Sequence, residues 1–156
     1  MTRDLERVAP GGRVLAWADG PDGALAVALD GVLAVRTQGE WEVHGWHLLQ
    51  GGGWNRDSST LRWTTNEDVR GSIVLDEPGR VPEVFNERMM ASIVVQQNFD
   101  APGGGRVMVA GRRALGATSS GTVWQAVTQG KAKLDDPVVR EFVLERTAEL
   151  KDQYDL

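Results

Sequence analysis

The stretch Ala24-Leu25-Ala26-Val27-Ala28-Leu29-Asp30-Gly31-Val32-Leu33-Ala34-Val35-Arg36-Thr37-Gln38-Gly39-Glu40-Trp41-Glu42-Val43-His44 decides the fold class. Its two apolar runs are separated by Asp30-Gly31, a residue pair that tolerates the positive φ of the tightest hairpins. Gln38-Gly39 turns the chain a second time. In Trp41-Glu42-Val43-His44 apolar and polar side chains alternate. A period of two sends Trp41 and Val43 inward and Glu40, Glu42 and His44 toward solvent. Helical periodicity is missing, so successive antiparallel strands are predicted.

Reading outward from that stretch extends the pattern. Residues 13–18 form a strand before Asp19-Gly20-Pro21-Asp22-Gly23, where Gly, Asp and Pro make a corner. Downstream, Trp54-Asn55 and Leu61-Arg62-Trp63-Thr64 flank the turn formers Arg56-Asp57-Ser58-Ser59. Residues 71–75 add a strand before Glu77-Pro78-Gly79 closes the β-rich part. This gives about seven strands. Pro82 suits the first position of a helix, and Val84, Phe85, Met89 and Ile93 mark one stripe of a helix over 82–95.

The run Asp100-Ala101-Pro102-Gly103-Gly104-Gly105 is a loop, followed by two strands at 106–110 and 122–128 that pair with each other. Asp135-Asp136-Pro137 combines a capping Asp, a Pro at the first helical position and acidic charge at the positive end of the helix dipole. The helix that starts there has a core stripe of Val138, Val139, Phe142, Val143 and Leu150. The expected class is α+β and mainly antiparallel β, with an inserted helix, a further strand pair and a packed C-terminal helix. A chain of 156 residues suits one domain, 1–156, with 1–12 as a flexible or loosely packed N-terminal segment.

About seven antiparallel strands followed by a core-facing helix are similar in outline to the pleckstrin-homology-like superfold, a bent, partly open barrel plugged at one end by a helix. More specifically, Gly45-Trp46-His47-Leu48, the run from Trp54 to Arg62, Glu77-Pro78-Gly79-Arg80-Val81-Pro82-Glu83-Val84 and Asp135-Asp136-Pro137-Val138-Val139-Arg140 resemble an uncharacterised family of small actinobacterial proteins. The resemblance runs from Arg13 onward. It departs at Gly45, where relatives carry Pro before Trp-His. It implies a fold and carries over no catalytic or ligand-binding residue.

Composition narrows function. The chain has no cysteine, so disulfides, thiolate metal sites and cysteine nucleophiles are excluded. A formal net charge of −5 argues against a surface built to neutralise phosphates, and therefore against nucleic acid and membrane as partners. Met1-Thr2-Arg3-Asp4-Leu5-Glu6-Arg7 is too charged for the apolar core of a signal peptide, and no apolar run approaches the length of a membrane span, so a cytoplasmic location is expected.

Four constellations are candidates. Glu42, His44 and His47 would form a carboxylate and imidazole metal site, and a metal-assisted hydrolase, if a bulge at Gly45 turned His47 round. On a regular strand a spacing of three points the two histidines to opposite faces. Arg106, Arg112 and Arg113 offer planar forks suited to an anion or phospholipid headgroup, against the alternative of solvated strand ends. Trp54 and Trp63, flanking one hairpin, are expected to be partly exposed and to bind protein. Asp57-Ser58-Ser59 places hydroxyls near a carboxylate but is what a turn requires.

With no chemistry-bearing motif, the leading expectation is a non-catalytic module without a cofactor or catalytic residue. It would bind a protein or peptide at a sheet edge, or associate with itself as a homodimer.

Overall fold

The computed structural model describes residues 2–116 and 121–156. It has ten strands and three α-helices: α1 (Thr2–Val8), β1 (Val14–Asp19), β2 (Leu25–Leu29), β3 (Val32–Thr37), β4 (Glu40–Gly45), β5 (Leu49–Asn55), β6 (Thr60–Thr65), β7 (Arg70–Val74), α2 (Val81–Ala91), β8 (Ile93–Asp100), β9 (Arg106–Arg112), β10 (Val123–Gln129) and α3 (Pro137–Tyr154). All sheet pairing is antiparallel, in sheets ordered β1-β2-β3-β4, β5-β6-β7 and β10-β9-β8. The class is α+β, and none of the three sheets closes into a barrel.

Length alone suggests one domain, and within the chain two compact units stand out. The first comprises Met1–Ser92 with Arg113–Gly121, and the second Ile93–Arg112 with Thr122–Leu156. Each has its own apolar core.

In the first unit, the turns predicted from Asp30-Gly31 and Gln38-Gly39 join β2 to β3 and β3 to β4. Gln38 and Gly39 both have positive φ (52° and 79°), the twist that a two-residue hairpin needs. The inner faces of the first two sheets and the helix α2 enclose the main core. Ala26, Ala28, Leu33 and Val35 come from the first sheet, Leu61, Trp63 and Ile73 from the second, and Val81, Val84 and Phe85 from α2. Trp46, on a single 3-10 turn at Trp46–Leu48, is completely buried. Its Nε1 donates to the Leu29 carbonyl at 2.9 Å, and its ring meets Phe85 edge-on at 5.6 Å.

The opposite face of the first sheet is covered too. Leu25, Val27, Leu29 and Ala34 form a second core with Leu5 and Ala9. The segment 1–12, expected to be loosely packed, therefore contains α1, held by the burial of Leu5 and Ala9. Met1 lies outside the described residues.

The helix predicted over 82–95 ends earlier, at Ala91, where the Ser92 amide closes the last turn onto the Arg88 carbonyl. Ile93, Val94 and Val95 then begin β8. Three consecutive β-branched residues are stiff at χ1 and suit a strand better than a last helical turn. The expected strand pair β9–β10 is present and is extended by β8 into a three-stranded sheet. In this second unit Val107, Val109, Val139 and Leu150 bury a core between the sheet and α3. The capping prediction holds: Asp136 Oδ1 accepts from the Val138 amide at 2.9 Å, ahead of Pro137. Val138, assigned from sequence to the core stripe, is instead 61% exposed.

Candidate functional site

On β4, Glu42 lies opposite Val35 and His44 opposite Leu33. Both neighbours belong to the main core, so the period of two aims Glu42 and His44 at the inner face, toward the second sheet. His44 thus departs from the facing expected from the alternation, whereas the Glu42 side chain, 64% exposed, still reaches solvent. The His44 side chain is 21% exposed, whereas Val43, expected inward, is 37% exposed. The physical reason is that Trp63 of the second sheet packs on His44, so polarity alternation does not identify the buried side chain. Trp41 faces the second core, with the Arg36 guanidinium 5.4 Å from its ring centre.

His44 Nε2 lies 3.2 Å from Glu42 Oε2, and the imidazole ring sits 5.7 Å from the Trp63 ring, tilted by 50°. Trp63 is held on β6 between glycines of the flanking strands, Gly52 and Gly71. A Cβ on Gly71 would run into the Trp63 indole, so the ring lies flush on the β7 backbone. A glycine inside a strand and opposite a large aromatic is the sequence signal for such an approach.

Around this pair opens a cleft of about 260 Å³ between the β3–β4 and β6–β7 hairpins. Its walls are Val35, Glu42, His44 and Trp63 on one hand and the consecutive residues Val69, Arg70, Gly71 and Ser72 on the other. Thr37, Thr65 and Ser72 contribute hydroxyls. The cleft thus joins an apolar floor to a carboxylate, an imidazole, a guanidinium and several hydroxyls. Sequence reasoning did not find Val69, Arg70 or Ser72, because they join the site only when the second hairpin lies across from the first.

His47 does not join Glu42 and His44. Its ring folds against Gly45, where a Cβ would stand 2.7 Å from Cε1, and lines a different cavity with Asp30 and Val43. Among the described residues no group of three His, Asp or Glu side chains is placed to hold a metal ion.

Of the two tryptophans expected to be partly exposed, Trp54 is half-buried, and Trp63 is only 3% exposed because it fills the core between the two glycines. The more exposed indole is Trp17, at 53%. The Arg56–Ser59 segment is a turn, with the Ser58 amide bound to Asn55 Oδ1 at 3.1 Å and Ser59 at φ 50°.

The arginines do not form a cluster. Arg106 and Arg112 stand at opposite ends of β9, about 20 Å apart at the rise of an extended strand. Arg106 is exposed beside Asp100 at 3.7 Å. Arg112 is buried, 1% exposed, with Nη1 donating to Gln125 Oε1 at 3.2 Å, and burial lowers its pKa below the usual arginine value. Arg113 is exposed and follows the strand, its amide bound to the Ser92 carbonyl. Residue type suggested an anion site. Strand geometry separates the first two guanidinium groups and desolvates one of them.

Among the described residues no helix is long and apolar enough to cross a membrane. Compared with protein-family models, curated proteins and solved structures, the chain matches none.

Proposed function

We propose that the first unit is a pleckstrin-homology-like, partly open barrel of the kind suggested by its resemblance to the small actinobacterial proteins. In this reading it works as a non-catalytic module that binds an extended protein segment along the free edge of β7. The fold reading is supported by the four- and three-stranded meanders, by α2 packed against β1, β2 and β5, and by the corner where the Asp76 amide binds the Asp19 carbonyl at 3.0 Å.

One observation carries the binding reading. From β4 the cleft takes alternate residues, Glu42 and His44, whereas from β7 it takes the consecutive residues Arg70, Gly71 and Ser72. Alternate residues line a space through a strand's face; consecutive ones line it through the strand's edge. In this reading the outer edge of β7 opens on the cleft, and among the described residues it has no neighbouring strand in its sheet. An added strand gains main-chain hydrogen bonds from that edge, while Glu42, His44 and Trp63 select its side chains.

The test is selection of phage-displayed random dodecapeptides on the full chain, followed by amide chemical-shift mapping with the enriched peptide. Shifts concentrated at Val69, Arg70, Ser72 and His44 are expected. Arg70→Ala should weaken binding about tenfold, or ~1.4 kcal/mol, and Arg106→Ala, on the exposed end of β9, should leave it unchanged. Failure to enrich any peptide, or shifts centred away from β7, overturns the proposal.

A further inference from the structure

A second cavity of the first unit, about 390 Å³, is separate from the peptide cleft. It is walled by Val8 at the end of α1 and Pro10 just after it, by Val32 and Val43 from the sheet, and by Leu115. That volume falls within the range of small-molecule sites, roughly 300–1,000 Å³.

Glycines shape it. A Cβ on Gly31 would stand 2.6 Å from the Leu115 carbonyl oxygen, and one on Gly12 would stand 2.6 Å from Leu29 Cδ2. Gly45 likewise leaves room for the His47 ring, and at Gly31, where the neighbour is main chain, a side chain would force the backbone apart.

The polar side chains at its wall are Asp30 and His47, and Asp30 is the anionic one. The turn that carries it is anchored by Arg88, whose Nε and Nη2 both donate to the Asp30 carbonyl, at 3.0 and 2.7 Å. Oδ1 accepts the Arg13 amide at 2.9 Å, which sets the orientation of the carboxylate. The other oxygen, Oδ2, lies 3.7 Å from where a Cβ on Gly116, another wall residue, would be. An oriented carboxylate on a half-buried aspartate, beside a largely apolar space, is matched by a ligand with an apolar body and a cationic N–H head.

We propose that this cavity is a binding site for a small apolar molecule bearing a protonated amine, with Asp30 Oδ2 as the acceptor for the ammonium group. The probes are 2-phenylethylammonium, its neutral counterpart 2-phenylethanol and the anion phenylacetate, titrated into the full chain at pH 7 with amide chemical shifts as the readout. The ammonium compound should give saturable shifts at Gly31, Val43 and Gly116, with affinity about tenfold above that of the alcohol. Asp30→Asn keeps an oxygen for the Arg13 amide and should erase the preference for the ammonium. Val43→Arg, on a partly exposed edge strand, should place a competing cation at the cavity and abolish binding. Absence of saturable binding, equal binding of phenylacetate, shifts outside the cavity, or a preference that survives both substitutions overturns the proposal.

Discussion

Within the first unit, β2 is buried at all five of its residues, whereas β6 carries the exposed Arg62 between the buried Leu61 and Trp63. Both strands are central in antiparallel meanders. The difference lies in what covers the outer face. Leu25, Val27 and Leu29 of β2 meet Leu5 and Ala9, while Arg62 meets solvent. A sheet with one covered face writes its burial into the sequence as alternation, and a sheet with two covered faces writes it as an unbroken apolar run. Leu25-Ala26-Val27-Ala28-Leu29 is such a run. Its inward positions 26 and 28 are alanines, which allow Trp46 and α2 to approach.

Three substitutions can break or sharpen that comparison. Trp46→Ala should have the largest effect, a loss of about 3–5 kcal/mol by urea unfolding, because it empties the main core and leaves the Leu29 carbonyl without its indole donor. A loss below 1 kcal/mol would mean that the two sheets do not depend on a shared core.

Leu5→Ala comes next. Roughly 2–3 kcal/mol should be lost, with faster amide exchange in β2 and β3 than in β6, since only the first sheet has its outer face covered by Leu5. Equal acceleration in β6 would break the comparison. Arg62→Ala should be nearly silent, within about 0.5 kcal/mol. A larger shift in the denaturation midpoint would show that the outer face of the second sheet is not merely solvated.

Much of the fold was legible in the sequence because it depends on local chemistry. Gln38-Gly39 specifies its turn by backbone tolerance, both residues taking positive φ, and Asp136 starts α3 by accepting from the Val138 amide. The errors fell where two local signals competed. Ile93 continued the spacing of the α2 stripe and also began a β-branched run, and pairing with β9 decided for the strand. The tryptophans showed the same limit. Indole content predicts burial or an interface equally well, and only the neighbouring Gly71 decides that Trp63 is inside.

The candidate sites were less legible than the strands. Glu42 and His44 were identified as sharing a face, which follows from their spacing alone. Which of them is buried depended on the second sheet, whose Trp63 packs on His44. His47 could be separated from them only by the 3-10 turn at Trp46–Leu48, and Arg70 and Ser72 enter the cleft only because β7 lies across from β4.

By itself, then, the sequence determined the strand count of the first unit, its turns, the cap of α3 and the absence of thiol chemistry, all properties of residue type and near neighbours. The tertiary structure decided which face of each sheet is wet, which charged groups meet and where the cavities lie. These depend on contacts between segments far apart in the chain, and the patterns of period two and 3.6 carry no record of which distant element will cover a face.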